Sequence, residues 1–405
     1  MPFRIALSGL NAAQADLNVT ANNIANTSTT GFKGSRTEFA DMFAVSLQGV
    51  SSNASGNGVR VAAVAQQFAQ GNIEFTDSNL DLALSGQGMF ILSDNGALAY
   101  TRAGAFQMNR DGYVVNSMNQ RLQVYPPLAG GGFNTGGLSD LQLVTTDSAP
   151  QATSNVDYIL NLPANATPPP VAVFSPADPN SFNQATSLTL YDSLGATHTG
   201  TMYFVKTATA NQWTAQLSID GTLVGTPQTL QYSNTGVLTA PAGGLLAFPP
   251  YTPTTGAAAM NVTVDLGQST QFGGSFSVNS VTQDGYTTGR LIGIDIDETG
   301  IVQARFTNGN SQSLGQVAVA NFANPQGLQQ LGNTQWAETF SSGQALRGSA
   351  GNSGFGLVQS GALEGANVDV TEQLVNMITA QRNFQANAQM ISTADQITQT
   401  IMQIR

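Results

Sequence analysis

Two heptad patterns, one at each end of the chain, constrain the fold more than anything between them. Near the N-terminus Phe3, Leu10, Leu17 and Ile24 recur every seven positions, with Ala6, Ala13 and Thr20 on the neighbouring register. Gln14, Asp16 and Asn18 fall elsewhere. Near the C-terminus Val370, Met377, Phe384 and Ile391 repeat the spacing, Leu374 and Ala388 fill the alternate register, and Gln381 is a polar exception. Ile397, Ile401 and Ile404 carry the apolar face onward. A sustained seven-residue repeat is the mark of helices that pair along a narrow seam. The chain is therefore expected to open and close with a helix, the second N-capped by Asp369, with Glu372 at capping-box spacing. Surface helices on an ordinary core would give a related pattern. Here, however, both stripes are narrow, and Gly/Ser/Asn-rich stretches, "QGVSSNASGNG" and "RGSAGNSGFG", join both helices to the rest. A narrow apolar seam on a tethered helix needs a partner to bury it.

The middle reads as β. "LALSGQGMFILSD", "LAYTRAGAFQMNRDGYVVNS" and "SLTLYDSLGATHTGTMYFVKT" consist of short β-rich runs bounded by turn residues, and no helical period appears. Asp111-Gly112 and Asn308-Gly309 are hairpin signals, the second a type I′ candidate. Prolines divide the chain: after Pro2 none occurs until Pro126, they are frequent to Pro253, and only Pro325 follows. Such a shift marks a domain inserted into another. The expected fold is mainly β with α-helical termini, two antiparallel β domains being nested and the N- and C-terminal helices pairing into a coiled-coil-like inner domain. The expected boundaries are 1–30 and 366–405 for the helical domain, 31–70 and 361–365 for a linker region, 71–145 and 285–360 for the first β domain, and 146–284 for the inserted outer one.

The residues offer little chemistry. Cysteine is absent, which excludes disulfides, thiolate metal sites and a cysteine nucleophile. His198 is the only histidine and reads as a surface or strand residue, since no triad or zinc partners can be placed around it. Asp295 to Gly300, "DIDETG", is closer to a hairpin turn than to a calcium loop. The glycines of "GQGMF" and "GGLSDLQL" lack a phosphate-cradling pattern. No catalytic, cofactor or metal residue is assigned, and an enzyme is not expected. A net charge of −11 argues against nucleic acid and against anionic lipid. Only 9% of residues are charged, so Asn, Gln, Ser, Thr and Gly must cover much of the surface. No apolar run reaches the length of a membrane helix, and Ser8, Gly9 and Asn11 interrupt any signal-peptide core.

"ALSGLNAAQADLNVTANNIANTSTTGFKGSRTEFADMF" resembles the N-terminal signature of the bacterial flagellar rod and hook axial proteins, carried by Asn22, Asn23, Ile24 and Asn26 and by Gly31, Phe32 and Lys33. Residues 78–92, 100–125 and 360–397 are similar to the signatures that follow it in that family. The inserted middle resembles the hook branch rather than the shorter rod proteins. The resemblance implies a subunit that passes unfolded through the flagellar type III export apparatus, without a cleavable signal peptide, to the hook outside the cell. There it would polymerise with itself into a flexible curved tube, a universal joint carrying torque from rod to filament. Its implied partners are the distal rod protein, the hook cap protein and the hook–filament junction protein, with no nucleic acid and no membrane insertion. Two other readings remain open at this point, a rigid distal-rod-like shaft and a secreted β-rich adhesin. The expected assembly seam is Phe3, Leu10, Leu17 and Ile24 with Val370, Leu374, Met377, Phe384 and Ile391. Residues 44–61 are longer than a minimal member requires, and are expected to alter the joint between the terminal helices and the first β domain.

Overall fold

A computed structural model describes residues 2–42, 56–128, 130–143 and 146–403. The greater part of the 44–61 stretch lies outside the described residues. Helix α1 spans Pro2–Ala25 and helix α2 spans Val370–Gln403, and among the described residues, apart from three short 3-10 turns, the regular structure between them is strand. The chain is thus mostly β with a helix at each end, as expected. It divides into two units: Met1–Val144 with Gly293–Ala304 and Gln312–Arg405, and Thr145–Ile292 with Arg305–Ser311.

In the first unit the main sheet runs in the order Leu291–Ile296, Ile301–Phe306, Ser311–Asn321, Arg121–Tyr125, Met89–Asp94, Ala97–Thr101, Gln335–Ala337, Gln329–Gly332. Its central strands are buried on both faces. Phe90, Leu92, Val124, Val317 and Val319 pack into one core, while Ile91, Tyr100, Tyr125, Ala318 and Trp336 pack into another. This is why "MFIL" reads as a continuous apolar run rather than an alternating one. Three small pairings build the end that carries the helices. Ser35–Asp41 pairs with Val59–Gln66, Leu82–Ser85 with Leu357–Ser360, and Ile73–Phe75 with Ala362–Glu364, all antiparallel. The last two bring the C-terminal return of the chain onto its N-terminal third.

The second unit packs two five-stranded sheets around Tyr158, Leu160, Leu162, Phe204, Trp213 and Leu217. One is a meander of Gln184–Tyr191, Thr197–Lys206, Gln212–Ile219, Thr222–Tyr232 and Leu238–Ala240. In Thr197–Lys206 buried and more exposed residues alternate strictly, as a half-buried strand requires. The other sheet is not purely antiparallel: Asn155–Pro163 runs parallel to Thr263–Asp265 and to Thr270–Phe272.

The turn signals fared unevenly. Asp111-Gly112 turns the chain between Gln107–Met108 and Val114–Val115, Gly112 taking φ +83°. Asp295–Gly300 leads into a hairpin turn in which the Asp297 carboxylate accepts the Thr299 and Ile301 N–H groups. Asn308-Gly309 is not type I′. Gly309 alone is left-handed, at φ +79°, and the Phe306 N–H reaches the Asn310 carbonyl at 3.0 Å. One extra loop residue lets a type I turn match the strand twist, so a second left-handed residue is unnecessary.

Candidate functional site: the terminal helices and their junction

The helices lie antiparallel within one chain. The Asn23 amide donates to Gln373 Oε1 at 3.2 Å, and a Cβ on Gly9 would stand 2.5 Å from Asn387 Oδ1. The two contacts are two heptads apart on both helices, so the register is continuous. Extending it places Ala6, Gly9, Ala13, Thr20 and Asn23 of α1 opposite Gln373, Met377, Ala380, Phe384, Asn387 and Ile391 of α2. Burial agrees: Ala6, Ala13, Thr20, Asn23 and Ala380 are buried, and Met377, Phe384 and Ile391 are half-buried.

The expected seam residues are therefore divided. On α2, Met377, Phe384 and Ile391 face the pair, but Val370 and Leu374 are exposed. On α1 the row of small residues faces α2, because small side chains let two helices approach closely. Leu10, Leu17 and Ile24 stand one position round the helix, half-buried, and Phe3 is exposed. Val370, Leu374 and Ile378 line an apolar stripe on α2 that no other described residue covers, at 45%, 46% and 49% exposure. Beyond α1's first turn α2 continues alone, with Ile397 and Met402 exposed.

The signature segment closes α1 and fixes it to the β body. A helix C-terminus leaves carbonyls without partners. Here the Asn26 side chain donates to the Asn22 carbonyl at 2.9 Å and the Thr27 hydroxyl to the Ile24 carbonyl at 3.0 Å. The Asn23 side chain clamps Ser35 at both backbone groups, donating to its carbonyl and accepting its N–H. Gly31 takes φ +69°, and a Cβ there would lie 2.4 Å from the Ala103 nitrogen. Both facts require glycine. Asn367 answers from the other terminus, accepting the Gly34 N–H and donating to the Gln67 carbonyl. Phe32 is half-buried beside it, its carbonyl accepting the Asn367 N–H. The Asp369 carboxylate then caps α2, accepting the Thr371 and Glu372 N–H groups.

A buried charge cluster lies beneath this exit. Lys33 Nζ lies 2.6 Å from Glu364 Oε1 and 2.7 Å from the Ala69 carbonyl. The Arg102 guanidinium donates to Glu364 Oε2 at 3.0 Å and to the Gly86 carbonyl at 2.7 Å. Glu364 also accepts the Gly71 N–H through Oε1, and through its own carbonyl the Gly31 N–H. Neither Lys33 nor Glu364 has an exposed side-chain atom. Burial pulls the Lys33 ammonium below its usual range; Glu364 opposes this and Arg102 adds to it. One carboxylate thus ties α1's exit, the loop before Ile73, and the strand leading to α2. The heptads located the helices, and the signature segment marked Lys33. Nothing local in the sequence marks Arg102 or Glu364 as its partners.

His198, read as a surface or strand residue, is on a strand but buried, between Asp192 and Asp220. The sequence signal, an Asp six residues before it and an Asp-Gly turn after the next strand, is too common to single out.

Four family models match the chain in order. They are Flagella basal body rod protein at 3–33, Flagellar hook protein FlgE/F/G D1 domain at 83–167, Flagellar basal body protein FlaE D2 domain at 161–286, and Flagellar basal body rod FlgEFG protein C-terminal at 359–404. Flagellar hook protein FlgE of Escherichia coli (strain K12) is 38% identical over 421 residues, covering 100% of both chains. Its Salmonella typhimurium counterpart is 37% identical over 416 residues, again 100% of both. That of Borreliella burgdorferi is 35% identical over 435 residues and 98% of each. The crystal structure of Helicobacter pylori flagellar hook protein FlgE2 is similar in fold, with a TM-score of 0.54 at 14% identity over 72% of this chain and 100% of that one.

Proposed function

The chain belongs to the flagellar hook protein family, and from that premise we propose how its termini build the hook. It is a structural subunit of the bacterial flagellar hook, outside the cytoplasm, and not an enzyme. The helix pair forms the inner wall of a helical homopolymer, and the β units form its outer layers. The observation that carries this is the uncovered stripe of Val370, Leu374 and Ile378 on a helix whose adjoining face is already occupied by α1. Covering the exposed half of each of these side chains contributes about 0.7–1.5 kcal/mol. A neighbouring copy supplies the cover, and the Lys33–Glu364–Arg102 cluster holds the helix pair to its own β body while it does so.

Export precedes assembly. A chain without cysteine threads the flagellar type III export apparatus with no crosslink to hold it folded. It then adds at the growing end beneath the hook cap protein, above the distal rod protein, and later receives the hook–filament junction protein. Sparse surface charge lets outer units slide past one another without strong ion pairs to break, exposed pairs being worth little in any case. The resulting tube bends while it rotates and carries torque to the filament. Electron microscopy of the purified chain after polymerisation tests this. A curved tube is expected; a straight shaft or no polymer would refute it.

A further inference from the structure

The chain's only histidine is enclosed by acid. His198 is 6% exposed. Its Nδ1 lies 2.6 Å from Asp220 Oδ2 and its Nε2 lies 3.2 Å from Asp192 Oδ2. A neutral imidazole has one N–H and can donate to only one of these; an imidazolium donates to both. Each carboxylate is itself anchored. Asp192 Oδ1 accepts the Leu194 and Ala196 N–H groups, and its Oδ2 accepts the Thr255 hydroxyl at 2.8 Å. Asp220 Oδ1 accepts the Thr199 N–H at 2.9 Å. The Tyr251 ring packs edge-on to the imidazole at 6.2 Å. The ring therefore stands where three segments of the second unit converge: the turn at 192–196, the hairpin turn at Asp220-Gly221, and the loop bearing Tyr251 and Thr255.

The titratable groups facing His198 are Asp192, Asp220 and the Tyr251 phenol. Burial, the largest single influence, disfavours the charged ring; the hydrogen bonds and charges of Asp220 and Asp192 outweigh it, so the ring holds its proton above the ordinary histidine range. For the carboxylates too, burial acts upward and is outweighed. The Thr255 and Ala196 hydrogen bonds, with those of His198 and Leu194, bring Asp192 down to about 2, and His198 and Thr199 lower Asp220.

We propose that Asp192, His198 and Asp220 form a proton-held latch that keeps these three segments of the second unit together and opens when His198 is neutral. With the ring charged, both carboxylates have a donor. Once the proton leaves, the ring turns a lone pair toward one carboxylate, the buried Asp192 or the partly exposed Asp220, an arrangement that costs free energy, most at Asp192. The sign follows from the upward shift. The stabilisation is complete below the unfolded histidine value and is lost as pH rises through the higher folded one. The latch is closed around the unfolded histidine value and opens as pH rises through the higher folded one.

A single histidine makes the test direct, because its ring resonance in the full-length chain needs no assignment. Titrated from about pH 5 to about pH 10, the ring signal should have its midpoint above the ordinary value of about 6.5. Asp220→Asn should lower that midpoint. Across the same interval the thermal unfolding temperature of the second unit should fall in the wild-type chain and stay level in His198→Gln. A wild-type midpoint at or below the ordinary value, a midpoint unmoved by Asp220→Asn, or a level wild-type unfolding profile would each overturn the proposal. Should His198→Gln fail to fold, the ring titration of the wild type and of Asp220→Asn decides alone.

Discussion

Replacing Glu364 by glutamine probes the junction most directly. The substitution preserves shape and removes one charge. In the native chain that charge answers two cations, Lys33 at 2.6 Å and Arg102 at 3.0 Å, and the Gly71 N–H at 2.9 Å, with no side-chain exposure at Glu364. No solvent remains to screen the change. Glutamine turns an amide NH2 toward one cation and leaves both without an anion. Removing one partner of a buried pair costs about 3–5 kcal/mol, and here two pairs share the partner, so the upper part of that range is expected. Set against a total stability of roughly 5–15 kcal/mol, the first unit should unfold at far lower denaturant. The chain carries its own reporters, because its two tryptophans fall in different units: Trp213 in the second, Trp336 in the first. In a Trp213→Phe background, urea unfolding followed by Trp336 fluorescence should shift strongly with Glu364→Gln. In a Trp336→Phe background, the Trp213 transition should not. Adding Lys33→Met should restore part of the loss, since one orphaned cation disappears. A shift below about 1 kcal/mol, or equal movement of both transitions, would refute the reasoning.

Leu374→Asp and Ile378→Asp, both on the uncovered stripe of α2, should leave subunit stability within about 0.5 kcal/mol and abolish polymerisation, read by urea unfolding and by sedimentation. Gly31→Ala should cost more than the roughly 1–2 kcal/mol of a left-handed alanine, because the Ala103 backbone fills the space its Cβ needs; the same fluorescence transition measures it. Residues 146–284, expressed alone, should fold, giving a cooperative β-type circular dichroism transition. In acid the second unit should weaken as pH falls from the ordinary aspartate value of 3.8 through about 2, where Asp192 takes up its proton, and Asp192→Asn should flatten that limb of the unfolding curve.

How much of this was legible depended on whether the cause was local. Helix periods, the Asp369 cap and the Asp111-Gly112 turn are short-range effects, and each appears where the residues place it. Which face of α1 would be buried was not local. The leucine row suggested the seam, but Gly9 and the alanines determine how near α2 can come, and that depends on Asn387 and Ala380 far along the chain. Glu364 is a single acid near a run of small residues, and only the pairing of Ala362–Glu364 with Ile73–Phe75 sets it beside Lys33 and Arg102. His198 is hard to read from sequence for a related reason: a lone histidine carries no pattern, and Asp192 and Asp220 come together on it only through the strand pairing of the meander.

The unequal lengths of α1 and α2 have a consequence for the inner wall proposed for them. Courses of identical bricks stacked flush share a level at which every joint coincides, and a wall shears there first. Because α2 extends past α1 to Gln403, with Ile397 and Met402 bare at its tip, each subunit is a long brick bound to a short one. Laid in a helix, such pieces overlap the joints of their neighbours. No plane across the tube then consists of ends alone, so a turning load is handed along the wall from one helix to the next.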